Sequence, residues 1–269
     1  MLPTPDTSHV SFDTIYEPAE DSYLFLDTLS SASESKWLTE RFQPSPTTPN
    51  TVPLIVEAGT GSGVVLAFAA AQSQEIFGRR DVLTLGTDVN RNACTATRET
   101  VTAAIRSQQQ QSVSAAHPPL QSVHISSLTA NLCTPLRAGS VDVLLFNPPY
   151  VPTEDVPQLP SAAQNDPSSL TASLEQSRSA KFDSDSYFLS LTYAGGTDGM
   201  ETTNQLLDAI PDVLAARGVA YVLLCRQNRP EEVKERIRGW GGWRAETVGS
   251  SGMQAGWEKL VIVRIWREV

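Results

Sequence analysis

Cysteine, histidine and methionine are scarce: each occurs only three times in 269 residues. Cys94, Cys133 and Cys225 are far apart and odd in number, which argues against a disulfide framework and fits reduced thiols inside a cell. His9, His117 and His124 fall in no metal-ligand spacing, so no intrinsic zinc site is expected. Cationic residues are in deficit, 20 Lys and Arg against 30 Asp and Glu, a net charge of −10. That balance disfavours a chain that grips nucleic acid directly, because such grip needs a basic face. No apolar run approaches the roughly 20 residues that span a bilayer, so no membrane contact is expected. Residues Met1 to Val10 lack the basic and apolar regions of a secretory leader. The expected location is cytoplasmic, with the nucleus also open. At 40% hydrophobic residues, the chain has enough apolar material to build one large α/β domain.

Patterning along the chain predicts a flexible, polar N-terminus over residues 1–14 and a single domain over residues 15–269. Helical spacing of Tyr23, Leu24, Leu26 and Leu29 marks a helix from Glu20 to Leu29. Short apolar runs at 54–58, 82–87, 122–125, 141–146 and 219–224 read as strands, with helices over 63–74, 90–108, 201–216 and 230–240 between or after them. Asn90 is placed to cap its helix, and Gly218 to close the 201–216 helix. Gln43–Pro53, Gln108–Pro119 and Leu159–Ser179 read as loops, the second as a low-complexity surface insertion. The last two strands, 244–248 and 260–266, have no helical pattern between them and read as an antiparallel pair. Strand–helix alternation ending in a hairpin predicts a Rossmann-like, seven-stranded, mostly parallel sheet.

Three features carry chemistry. Glu57-Ala58-Gly59-Thr60-Gly61-Ser62-Gly63 joins the first strand to a helix. Gly59 and Gly61 let the backbone turn tightly and let a ligand approach without a Cβ. A carboxylate at Glu57 repels a pyrophosphate and attracts the amino group of an amino-acid cofactor, which favours S-adenosylmethionine over NAD. Asp88 ends the second strand, where a carboxylate can accept both ribose hydroxyls of an adenosine or sit as an acid at a helix start. Asn147-Pro148-Pro149-Tyr150 follows the apolar run 141–146. The Asn147 amide offers an acceptor and a donor, the prolines leave backbone carbonyls unpaired, and Tyr150 adds a flat wall. That mouth suits a planar, NH2-bearing group: a base or a side-chain amide. A strand running into a proline-rich turn is the plain alternative. All three features fall at the carboxyl ends of strands, where open α/β sheets bind ligands.

With these residues in place, the chain resembles the class I S-adenosylmethionine-dependent methyltransferases, and within them the eukaryotic branch of the HemK glutamine methyltransferases. The resemblance runs from Ile15 to the C-terminus. It rests on Tyr16-Glu17-Pro18-Ala19-Glu20-Asp21-Ser22, on Asn147-Pro148-Pro149-Tyr150-Val151-Pro152, and on Ala194-Gly195-Gly196-Thr197-Asp198-Gly199. It implies N5-methylation of the glutamine in the Gly-Gly-Gln motif of the class I translation release factor, by a catalytic subunit paired with a small zinc-binding activator. It further implies that Glu57, Gly59 and Gly61 hold the methionine part of the cofactor and Asp88 the ribose. Ser22 and Tyr16 would lie against the cofactor, and Asn147 would bind the substrate amide. On its residues alone the Tyr16–Ser22 segment reads equally as a cofactor cap and as an ordinary helix start; the resemblance implies the cap. The family's Asp–Leu pair after the third strand, near the adenine amino group, is matched here with Ser127-Leu128. Rival readings are an adenine-N6 methyltransferase on DNA or RNA, a histone-lysine methyltransferase, a non-catalytic cofactor-binding scaffold and a NAD-dependent oxidoreductase.

Overall fold

The computed structural model describes residues 2–43, 51–111, 121–159, 178–252 and 259–268. Two helices, α1 (Glu20–Ser30) and α2 (Ala32–Phe42), precede β1 (Leu54–Ala58). The loop after β1 leads into α3 (Val64–Ala71) and the short α4 (Ser73–Phe77), then β2 (Leu83–Asp88), α5 (Arg91–Gln111), β3 (Val123–Thr129) and β4 (Val141–Phe146). Next come α6 (Arg178–Tyr193), α7 (Glu201–Val213), β5 (Leu214–Cys225) and α8 (Pro230–Arg238), and the chain ends in β6 (Trp243–Ser250) and β7 (Leu260–Arg267).

The seven strands form one sheet in the order β3-β2-β1-β4-β5-β7-β6. Strands β1 to β5 pair in parallel, whereas β7 runs antiparallel to both β5 and β6. Both the mostly parallel sheet and the terminal hairpin therefore match the sequence reading. Side chains alternate across the sheet with the two-residue period of a strand. Val219, Tyr221 and Leu223 of β5 point with Ile55, Val143 and Leu145 into the layer that holds α1 to α5. Ala220, Val222 and Leu224 point with Val56, Leu144 and Phe146 into the opposite layer, against Leu206, Leu207 and Ile210 of α7. Burial on both faces explains why β4 reads as an apolar run broken only by Asp142, whose carboxylate accepts the Leu54 N–H and pairs with Arg217.

Several boundaries differ from the sequence reading. The helix expected over 201–216 ends at Val213, because Leu214 already pairs with Val141 of β4. Gly218 is therefore not a helix cap. A Cβ there would lie 2.7 Å from the Val141 carbonyl, so glycine is required for close approach of the two strands at a register shift. Helix α2 has no counterpart in the sequence reading; Ser31 caps it by accepting the Glu34 N–H at 3.3 Å. The helix expected over 63–74 is two helices, and α5 runs on to Gln111, three residues past its expected end and through all four glutamines of the tract. Asn90 does cap α5, its Oδ1 accepting the Asn92 N–H at 2.9 Å. Most of the three expected loops lies outside the described residues (44–50, 112–120 and 160–177). The N-terminal residues, which read as a flexible tail, lie against α5: Val10 and Ile15 are buried with Ala93 and Ala96.

Candidate active site

A cavity of about 270 Å³ opens at the carboxyl ends of β1, β2 and β4. It is lined by Tyr16, Ser22, Glu57, Gly59, Gly61, Asp88 and the whole tetrapeptide Asn147-Pro148-Pro149-Tyr150. The parallel pairing of β2, β1 and β4 brings these segments to one edge, as open α/β sheets do for ligands. Gly59 and Gly61 both have left-handed backbones, with φ of +66° and +51°. A Cβ on Gly61 would meet nothing within 4 Å, so its backbone faces open space. Gly63 serves packing instead. A Cβ there would strike the Thr97 backbone, so this glycine lets α3 pack on α5.

The acids are held firmly. Asp88 accepts the Gly61 N–H at 3.0 Å and the Asn90 N–H at 2.8 Å, tying the glycine loop to the start of α5. Glu57, 3% exposed, accepts the Leu66 N–H of α3 at 3.1 Å. Burial pushes the Glu57 carboxyl well above its ordinary range, and the nearby Asp88 pushes it further. Burial also raises Asp88, against the hydrogen bonds that favour its charged form. Three carboxylates (Asp21, Glu57 and Asp88) and no Lys or Arg line the cavity among the described residues. Such a site favours a cation and repels phosphate.

Asn147 is the centre of the arrangement. Its Nδ2 donates to Oδ2 of Asp21 at 3.1 Å. A carboxylate can only accept, so this contact fixes which end of the Asn147 amide is oxygen. Its Oδ1 is buried and has no hydrogen-bond partner among the described residues. Buried acceptors are nearly always paired, so this one on a cavity wall is open to a donor from a ligand. Asp21 is itself 3% exposed, and its Oδ1 accepts from the Ser22 N–H at 2.6 Å. Ser22 thus lines the cavity and also braces Asp21.

Two predicted positions fall elsewhere. Ser127 and Leu128 do not line the cavity. Strand β3 continues to Thr129, with Ser127 opposite Gly86 and its hydroxyl 3.1 Å from Nε2 of His124. The residues that follow β3 into the cavity are Ala130, Asn131 and Leu132. Asn131 and Leu132, rather than Ser127 and Leu128, thus line the cavity on the β3 side. That reading also misses Asp21 as a site residue, although it stands inside the Tyr16–Ser22 segment. Beyond Asn147 the wall turns apolar, with Val156, Pro157, Leu159 and the α6 residues Phe188 and Leu191.

No family model matches the sequence. The chain is 29% identical over 270 residues to the eRF1 methyltransferase catalytic subunit mtq2 of Schizosaccharomyces pombe, covering 99% of this chain and 96% of that protein. It is 29% identical to methyltransferase HEMK2 of Mus musculus, covering 98% of this chain and 96% of the relative. Among solved structures, the E. cuniculi Mtq2-Trm112 complex, which methylates the eRF1 translation termination factor, has a chain of the same fold. Its TM-score is 0.50 at 21% identity, covering 95% of this chain and 99% of that one. The sheet order, the glycine loop and the relatives define a class I methyltransferase. Enzymes of this class in general take the methyl group from S-adenosylmethionine. Within the class, the chain is similar over nearly its whole length to relatives of the HemK-like branch. No helix among the described residues is long and apolar enough to cross a membrane.

Proposed function

We propose that this chain methylates N5 of the glutamine in the Gly-Gly-Gln motif of the class I translation termination factor, as the catalytic subunit of a heterodimer. The observation that carries this reading is the buried, unpaired Oδ1 of Asn147 on the cavity wall. S-adenosylmethionine supplies an electrophilic methyl group on a sulfonium centre. The residues present fit it: the open backbone at Gly61 admits a close ligand, Glu57 suits its amino group, Asp88 its ribose, and Asn131 stands where the adenine end would lie. Asn147 Oδ1 and the Pro148 carbonyl would accept the two hydrogens of the substrate NH2. An amide nitrogen is a weak nucleophile, so fixing both hydrogens contributes mainly orientation for in-line displacement. The nitrogen becomes far more acidic as the N–C bond forms, and its surplus proton leaves to water without a strong base. Tyr150 would pack on the substrate plane.

The absence of Lys and Arg from the cavity lining among the described residues, together with the net charge of −10, supports a protein amide over a base in nucleic acid. The test offers labelled S-adenosylmethionine to the termination factor, to the factor with its Gly-Gly-Gln glutamine replaced, and to DNA, each with and without the activator. Label only on the unaltered factor is expected. Label on DNA but not on the factor would overturn the reading.

The activator, a small zinc-binding protein in this reading, is proposed to add to β3. This strand ends the sheet, and Val123 and Ile125, on one face of it, are each 52% exposed. An apolar edge strand invites strand addition. Ile125→Asp should weaken the heterodimer at least about tenfold in Kd, as seen by size-exclusion chromatography or calorimetry. Unchanged assembly would place the interface elsewhere.

Cofactor affinity should depend on pH. The raised pKa of Glu57 means that the folded, ligand-free protein holds a proton there over a range where the unfolded chain does not. Its stability therefore falls as pH rises through that window. A bound cation favours the ionised carboxylate, so binding releases the proton and tightens as pH rises from the ordinary glutamate value toward neutrality. Calorimetry with S-adenosylhomocysteine, which keeps the amino group, should show this trend, and Glu57→Gln should flatten it.

A further inference from the structure

We infer that Asn228 is a positioning residue for methyl transfer, clamping the outgoing half of the Asn147–Tyr150 turn against the Gly195–Gly199 segment. Asn228 lies outside the cavity in a 3-10 turn after β5, and it is 2% exposed. Its Oδ1 accepts the Cys225 N–H at 2.8 Å, which anchors the side chain to the end of β5. Its Nδ2 faces three carbonyls: Asp198 at 2.9 Å, Tyr150 at 3.3 Å and Gly199 at 3.3 Å. One amide thus joins the central sheet, the tetrapeptide and the glycine segment.

The glycines make that junction possible. Gly196 and Gly199 have φ of +69° and +68°, and Asp198 is left-handed as well at +56°. A Cβ on Gly199 would collide with the Tyr150 carbonyl, and one on Gly195 would lie 2.5 Å from the Pro149 carbonyl. The two backbones are also stitched together. Val151 N–H donates to Tyr193 at 3.0 Å, Gly195 N–H to Val151 at 2.8 Å, and Thr153 N–H to Gly196 at 3.0 Å. The tetrapeptide is therefore fixed on both sides, Asn147 by Asp21 and Tyr150 by Asn228. Two acceptors that must meet the two hydrogens of one NH2 group need that rigidity, because small misplacement is costly to rate.

This inference rests on the proposed use of Asn147 as an amide clamp, and its test separates the two. Asn228→Asp keeps the acceptor for Cys225 but turns a carboxylate oxygen toward three carbonyls. Asn228→Ala removes both links. Amide hydrogen exchange on the full chain with its activator reads the clamp without any substrate. Faster exchange at residues 150–153 is expected in both variants, with the glycine loop at 59–63 unchanged. Kinetics with the termination factor read the consequence. In Asn228→Asp, kcat should fall at least about tenfold, while the Kd for S-adenosylhomocysteine stays within about twofold. Part of the lost rate should return at lower pH, where the neutral carboxylic acid can again donate. Wild-type exchange at 150–153 in both variants would overturn the clamp. A wild-type kcat, or a fall in kcat matched by an equal fall in S-adenosylhomocysteine affinity, would overturn the positioning role. An inactive wild-type enzyme on the factor would instead overturn the substrate reading, leaving the exchange arm to decide the clamp.

Discussion

Replacing Asn147 by alanine should lower kcat by about 10²–10³-fold, or about 3–4 kcal/mol of barrier, and leave S-adenosylhomocysteine binding nearly intact. The side chain contributes one buried acceptor that no described residue reaches and that a substrate donor would pair. Its loss removes one of the two hydrogen bonds that aim the nucleophile, and leaves the glycine loop, Glu57 and Asp88 in place. Asn147→Asp is equally informative. It keeps the size and an acceptor, but sets a second carboxylate against Asp21 at the distance now spanned by the 3.1 Å hydrogen bond. Two carboxylates so close cannot both ionise, so one takes a proton, and the amide's fixed donor end is replaced by a proton that can sit on either residue. Single-turnover rates with saturating S-adenosylmethionine, beside calorimetric affinities for S-adenosylhomocysteine, separate chemistry from binding. An alanine variant with most of its turnover would refute the clamp.

The sheet is legible because periodicity reports burial directly. A mostly apolar β4 between alternating helical segments, and a last pair of strands without a helix between them, leave little freedom in topology. The tetrapeptide, Glu57 and Asp88 are legible for the same reason: each follows an apolar strand, and strand ends converge. The cavity lining after β3 departs from the sequence reading through one boundary. Hydropathy stops strand β3 at Ile125, so Ser127-Leu128 look like its first loop residues. The strand instead continues through Ser126 and Ser127, across a register shift opposite Thr84 and Leu85. At the edge of a sheet, polar residues can extend a strand without cost to a core, so hydropathy does not mark its end. The partnership of Asp21 with Asn147, 126 residues apart, and that of Asn228 with Tyr150 are hydrogen bonds between distant segments, and no local pattern encodes them.

Asp21→Ala should lower kcat by about 10–10²-fold, more than it lowers S-adenosylhomocysteine affinity. The carboxylate touches the NH2 end of Asn147, not the oxygen that would meet substrate, so its effect on the reaction runs through orientation. With Asp21 present, a flipped Asn147 would set oxygen against oxygen in a buried site, and that state is excluded. Without it, the amide can rotate or flip, presenting a donor where the substrate NH2 needs an acceptor. A charged acceptor also polarises the Asn147 amide and strengthens the hydrogen bond made at its Oδ1. Asp21→Asn separates these contributions. Its own carbonyl can still accept from Asn147, so orientation survives and only the charge is lost. The expected order of kcat is wild type, then Asp21→Asn, then Asp21→Ala. Ser22→Ala, which removes only the 3.3 Å hydroxyl contact to Asp21 and keeps the backbone bond, should change kcat by no more than about threefold. If Asp21→Ala turned over at the wild-type rate, Asn147 would be oriented by something other than its one charged neighbour, and the role given to the Tyr16–Ser22 segment would reduce to covering the cofactor.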